Sequence, residues 1–110
     1  MGKAAVTETR RLNRVARVAT LVNGPVAANQ DSDVAEVGNI DTLTVFLDAS
    51  GAATVTVYTS PDEQNWYVAQ AWSPTGAASD AVNVAPAPFV KVQSSAAITL
   101  KAQVYGVGGW

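Results

Sequence analysis

A chain of 110 residues, 48% hydrophobic and 15% charged, is long enough for one hydrophobic core, too short for two, and too apolar to stay disordered. It contains neither cysteine nor histidine, which excludes disulfides, Cys/His zinc sites, a cysteine nucleophile and a serine–histidine pair. The net charge of −2 hides an asymmetry: residues 1–17 carry five cations against Glu8, whereas residues 18–110 carry Lys91 and Lys101 against eight carboxylates.

The basic segment comes first. Arg10, Arg14 and Arg17 share a face if residues 10–17 are helical, with Leu12, Val15 and Val18 nearer another. Read as a strand, Val18, Thr20 and Val22 alternate with Ala19 and Leu21. Both readings stand locally, so the expectation is a basic N-terminal arm over 1–17 that takes its conformation from a partner, followed by a folded domain over 18–110. Arginines neutralise phosphates, yet the segment has no aromatic for base stacking and the body is acidic. Nucleic acid therefore ranks behind protein docking as the arm's target. The start has no apolar run of signal-peptide type, and no stretch approaches the roughly 18 apolar residues of a membrane span, so no membrane role is expected.

Val34–Val37 reads as a short strand. From residue 41 the period is two: Leu43, Val45 and Leu47 alternate with Thr42, Thr44 and Asp48, with Phe46 on the polar side. After Ala49-Ser50-Gly51-Ala52, residues Ala53, Val55 and Val57 alternate with Thr54, Thr56 and Tyr58, and the pair of runs predicts a β-hairpin. Ser60-Pro61-Asp62-Glu63-Gln64-Asn65 is a turn by composition. Trp66, Val68, Gln70 and Trp72 then oppose Tyr67, Ala69 and Ala71. Residues 73–80 read as a loop, Ala81–Val84 as a short strand ended by Pro86 and Pro88, and Phe89–Gln93 as another strand. In the last, Ile98, Leu100, Ala102 and Val104 alternate with Thr99, Lys101, Gln103 and Tyr105. Seven or eight short strands without a convincing helix predict an all-β antiparallel sandwich, jelly-roll or Ig-like, with an open barrel as the alternative. Its expected core is Leu43, Val45, Leu47, Val55, Val57, Val90, Val92, Ile98, Leu100 and Val104.

Candidate chemistry is sparse. Asp31-Ser32-Asp33 offers oxygens to calcium, but such a site takes six or more ligands, and an acidic turn is the better reading. Asp62 and Glu63 are adjacent in a turn, Ser60 has no histidine to activate it, and Gly106, Gly108 and Gly109 do not open a helix. No catalytic residue, cofactor or metal is expected. Trp66 and Trp72 fall on one face by alternation and read as core, with a sugar-stacking platform or a subunit contact as alternatives; Tyr58 and Tyr67 fall on the other.

Thr54-Val-Thr-Val-Tyr-Thr-Ser-Pro-Asp-Glu-Gln-Asn-Trp66, followed by Phe89-Val-Lys-Val, resembles the strand–turn–strand of discoidin-type (coagulation factor 5/8 C-terminal) sandwiches over about half the chain. Where that pattern has glycine after the aspartate, this chain has Glu63, and the family's sugar or lipid site does not carry over. The longer stretch from Val22-Asn-Gly-Pro-Val through Val37-Gly-Asn-Ile-Asp to Asp48, continuing to Trp66, is similar to small β-sandwich virion proteins of tailed phages and related viruses, which decorate or cement capsids or sit in tails. That resemblance implies a virion structural protein, a capsid decoration or cement protein assembled in the host cytoplasm and working as an oligomer. Its implied partner is the major capsid protein or another virion subunit, met through Arg10, Arg11, Arg14, Arg17, Tyr58 and Tyr67. A carbohydrate-binding or adhesive module of a tail fibre or surface appendage is the alternative.

Overall fold

The computed structural model describes residues 2–109. They form nine strands: β1 (Val6–Arg11), β2 (Arg14–Val26), β3 (Ala35–Glu36), β4 (Thr42–Ala49), β5 (Val55–Ser60), β6 (Tyr67–Trp72), β7 (Ala78–Val84), β8 (Phe89–Ser94) and β9 (Ile98–Gly109). A five-stranded sheet runs β1-β2-β9-β4-β7, a four-stranded one β3-β8-β5-β6, and every strand pair is antiparallel. Leaving β1 aside, β2 to β9 are dealt between two four-stranded layers in jelly-roll order, which resolves the Ig-like alternative.

Period-two patterning explains the layers. On β4, Leu43, Val45, Leu47 and Ala49 are buried while Thr42, Phe46 and Asp48 are exposed. Val55 and Val57 of β5, Val90 and Val92 of β8, and Leu100 and Val104 of β9 meet them from both sheets, each with 1% or less of its surface exposed. Ile98 is half-buried where the core reaches its rim. Residues outside the expected core complete it: Val15, Ala19 and Leu21 from β2, and Val34, Ala35 and Val37 around β3. A bulge at Leu21, which has no partner between Thr20↔Gln103 and Val22↔Ala102, turns both Leu21 and Val22 towards the interior.

The expected hairpin of residues 42–58 is not one. β4 pairs with β7 and β9, and β5 pairs with β6 and β8, so the 50–54 connection crosses from one sheet to the other. Its backbone is held from outside: Ser50 N donates to Thr99 O and Thr54 N to Ser95 Oγ. Both strands have one apolar side, and a sandwich satisfies two such sides by facing them as readily as by pairing the strands.

Residue 17, which divides basic arm from sandwich in the sequence reading, lies inside β2, where Val15 is already buried. Residues 2–4 run beside Val34 next to the smaller sheet (Ala4 N to Val34 O, 2.8 Å; Val34 N to Gly2 O, 2.9 Å), and the chain then crosses to become β1, the edge of the larger sheet. At about 3.3 Å per residue, the thirteen residues of β2 account for the molecule's 41 Å length. The six-residue strands of the smaller sheet are half as long, so the β1–β2 end overhangs. Beneath the overhang the 38–41 segment packs on β9, where Gly108 permits the approach: a Cβ there would lie 2.9 Å from Asn39 O and Ile40 Cα.

Candidate docking surfaces

Strand parity divides the four arginines of the first seventeen residues into two pairs. Glu8 faces Arg17 and Arg10 faces the buried Val15, which puts Glu8, Arg10 and Arg17 on the inward side. Arg10 Nε donates to Glu8 Oε1 at 2.8 Å and Arg17 Nε to Glu8 Oε2 at 2.9 Å. These bonds, Arg10's first, hold the Glu8 carboxyl below its ordinary pKa. Arg17 also donates to Val37 O at 2.6 Å, fastening β2 to the turn at Gly38, whose φ of 66° suits glycine. Arg17 is thus a clamp within the fold.

Arg11 and Arg14, paired across the hairpin, point outward. Arg14 lies 3.7 Å from Asp41, and Arg11 makes no ion pair among the described residues. They border a hollow of about 470 Å³ with an apolar floor of Ala16, Val18, Val107 and Tyr105. Between them the two-residue turn carries Leu12 at φ 53°, with 91% of its surface exposed. Only its first central residue has positive φ, the pattern of a II′ turn, where glycine is the usual occupant. A leucine there is strained and buries nothing.

The aromatic residues do not gather as alternation alone suggests. Val57 pairs with Gln70 but Tyr58 with Val68, so Ala69 is an extra residue and β6 changes parity at the bulge. Trp66 and Trp72 consequently part. Trp72, opposite Val55, packs half-buried against the core. Trp66 stays outside the smaller sheet, where the Lys91 ammonium sits 4.6 Å from its ring centre and 5.5 Å from that of Tyr58. Lys91 is 8% exposed and bonds Asp31 at 3.0 Å; Asp31 also accepts from Gln93 at 2.9 Å. Asp31, weighed above as a calcium ligand, is engaged in covering that lysine. Tyr67 is 62% exposed on the edge strand β6, but register puts Val68, not Tyr67, on the face of Tyr58. The structure therefore does not unite the six residues expected at an interface: the arginines lie on the larger sheet and the tyrosines on the smaller.

The turn before Trp66 is tightly bonded. Asp62 accepts from the backbone N–H groups of Asn65 and Gln64 and from the Asn65 side chain, and these bonds lower its pKa to about 2. Glu63, the residue standing where the discoidin-type pattern has glycine, has φ 64° and pairs with Lys3.

On the outward side of the larger sheet, alternation singled out Phe46 but not the residues that join it. Phe46, Tyr105 and Val18 are 47%, 40% and 39% exposed there; Tyr105 and Val18 are direct partners across β9 and β2, and Phe46 of β4 lies in the next row.

No family model and no curated protein matches the sequence. Its shape does have neighbours. The PBSX exported protein XepA, a phage protein, superposes with a TM-score of 0.59 at 12% identity over 84% of this chain and 37% of its own. The chain thus spans little more than a third of that protein. A Clostridium thermocellum endo-1,4-beta-D-xylanase 10B, solved as CBM22-1–GH10 modules with xylohexaose, reaches a TM-score of 0.49 at 11% identity over 96% of this chain and 24% of its own. The Schizosaccharomyces pombe Cnp3 cupin domain reaches 0.41, also at 11% identity, over 97% of this chain and 60% of its own. The likeness to the phage protein is one of fold.

Proposed function

We propose that this protein is a virion structural protein, a capsid decoration or cement protein that bridges neighbouring capsid subunits as an oligomer. The observation that carries the reading is the β1–β2 tip. Leu12 occupies a backbone conformation that costs free energy and leaves its side chain in water, between two outward arginines. Strain maintained at a tip is accounted for when the strained residue meets a partner. An apolar point between Arg11 and Arg14 fits a shallow apolar pocket rimmed by carboxylates, and burying one leucine contributes roughly 2 kcal/mol per copy. Repetition over many subunits turns that modest contact into firm attachment. The shared fold with a phage exported protein agrees with this setting. Nucleic acid fits less well, because Glu8 engages Arg10 and Arg17, and Asp41 lies near Arg14.

The test is co-expression with the capsid proteins of the encoding virus, followed by gradient sedimentation and heating of the particles. The wild-type chain travels with the particles and raises the temperature at which they release their contents. Leu12→Gly, and separately Arg11→Glu with Arg14→Glu, give folded protein that stays at the top of the gradient. Particle binding by Leu12→Gly equal to the wild type removes the basis of the proposal.

A further inference from the structure

Phe46 points outward from β4 with Gln103 of β9 and Ala81 of β7 as cross-strand neighbours. Because Ala81 ends at a methyl group, space opens beside the ring: a cavity of about 400 Å³ lined by Phe46, Asp48, Asp80, Ala81, Lys101 and Gln103, together with Ser79. Its volume lies within the roughly 300–1,000 Å³ of small-molecule sites.

The polar groups around the ring are held in place and only partly used. Ser79 Oγ donates to Asp48 Oδ1 at 2.9 Å, leaving Oδ2 as an acceptor. Asp80 borders the cavity but stands opposite the buried Leu47, so its side chain starts from the inward side of the sheet, and its Oδ1 accepts from the Ala81 backbone at 2.8 Å. Gln103 Nε2 donates to Thr20 Oγ1 at 3.3 Å, so its carbonyl oxygen is presented outward. In the next row Thr44 Oγ1 donates to Asn83 Oδ1 at 2.8 Å, which leaves the Asn83 amide hydrogens as donors. Asp48 forms no ion pair among the described residues.

We propose that this cavity binds a neutral saccharide. The electron-rich face of an aromatic ring attracts the weakly positive C–H face of a pyranose. The sugar's rim carries hydroxyl donors at several points, and charged acceptors make the stronger hydrogen bonds with them. Other ligand classes match less well. A phosphorylated ligand meets the Asp48 carboxylate, with Lys101 the one cation lining the cavity, and a wholly apolar one desolvates Asp48 without replacing its hydrogen bonds. A sugar satisfies the ring and the Asp48 carboxylate together. Six residue steps along β9 separate Gln103 from Gly109, the neighbour of Arg14, a distance of about 20 Å. A copy docked through its hairpin therefore keeps this cavity open, and the proposal stands independently of the cement reading.

Titration of the intact chain with cello-, xylo- and manno-oligosaccharides, followed by amide chemical-shift mapping, tests it. At least one sugar should give saturable shifts centred on Phe46, Ala81 and Gln103, with a dissociation constant of order 1 mM. Phe46→Ala and Asp48→Asn should each weaken binding about tenfold or more, whereas Tyr67→Ala, on the other sheet, leaves it unchanged. Asp48→Asn retains an oxygen for Ser79, so it decides the matter should Phe46→Ala not fold. The proposal is overturned by absence of saturable shifts with all three sugar classes, by shifts centred elsewhere, or by a Phe46→Ala chain whose self-association changes while its sugar affinity does not. Particle sedimentation of the folded Asp48→Asn chain matches the wild type whether or not sugar binds, so this result and the hairpin result are read separately.

Discussion

Replacing Leu12 with glycine should make the isolated protein more stable. Holding a non-glycine residue at φ 53° costs about 1–2 kcal/mol, and glycine removes that cost. Glycine in turn enlarges the entropy of the unfolded chain, which returns about 0.5–1 kcal/mol. The lost side chain subtracts almost nothing, because 91% of the residue is already in water. The balance is a gain of roughly 0.5–1 kcal/mol, which for a domain of this size raises the melting temperature by about 2–4 °C. Calorimetry gives the shift, and urea titration should show a higher midpoint with an unchanged slope. A variant less stable than the wild type would mean that Leu12 supports the fold, and the argument that its strain is kept for a partner would lose its premise. Greater stability together with lost particle binding is the paired outcome the hairpin reading requires.

Glu63→Gly should act in the same direction, by roughly 0.5 kcal/mol, since φ 64° is relieved while an exposed ion pair with Lys3 contributes little; urea midpoints measure it. Gly108→Ala should destabilise by about 1–3 kcal/mol, because its methyl group meets the backbone at Asn39 and Ile40 and neither is the end of a flexible side chain; thermal melts decide, and an unchanged melt would show that the 38–41 segment yields freely. The Asp62 pKa is depressed from 3.8 to about 2, so its contribution is complete above pH 3.8 and fades as pH falls through about 2. Glu8, depressed by Arg10 and Arg17, acts in the same direction. Asp62→Ala should therefore flatten the acid limb of stability between about pH 4 and 2, and equal slopes in variant and wild type would contradict the bonded turn.

The amphipathic strands were legible because one buried side leaves a period of two in the sequence: Leu43 to Leu47, Val55 to Val57 and Leu100 to Val104 occupy the interior as alternation requires. Partner choice was not legible. Residues 42–58 look like a hairpin because two runs flank a glycine-containing loop, yet nothing local says whether two apolar sides lie side by side or face to face. Bulges were the second blind spot. One extra residue at Ala69 reversed the relation of Trp66 to Trp72, and one at Leu21 brought Val22 inward. Glu63 left a usable trace, since a turn pattern that ordinarily has glycine there announces a left-handed backbone. Leu12 left none, because Arg-Leu-Asn-Arg carries no glycine to suggest a turn. Phe46 was visible as the apolar residue on a polar side, and its partners came from strands whose order only the fold reveals.

The position of β9 has a consequence for how the protein is made. β9, ninth of the described strands in chain order, lies between β2 and β4, so those strands cannot join until β9 has left the ribosome. Until then the larger sheet is two separate pieces, each with an open edge. Closure of the larger sheet must wait for β9, and such distant pairings place the domain among the slower ones, on the order of milliseconds to seconds. During that interval the apolar sides of β2 and β4 are available to chaperones and to other unfinished copies, and crowding at the site of synthesis sets the yield.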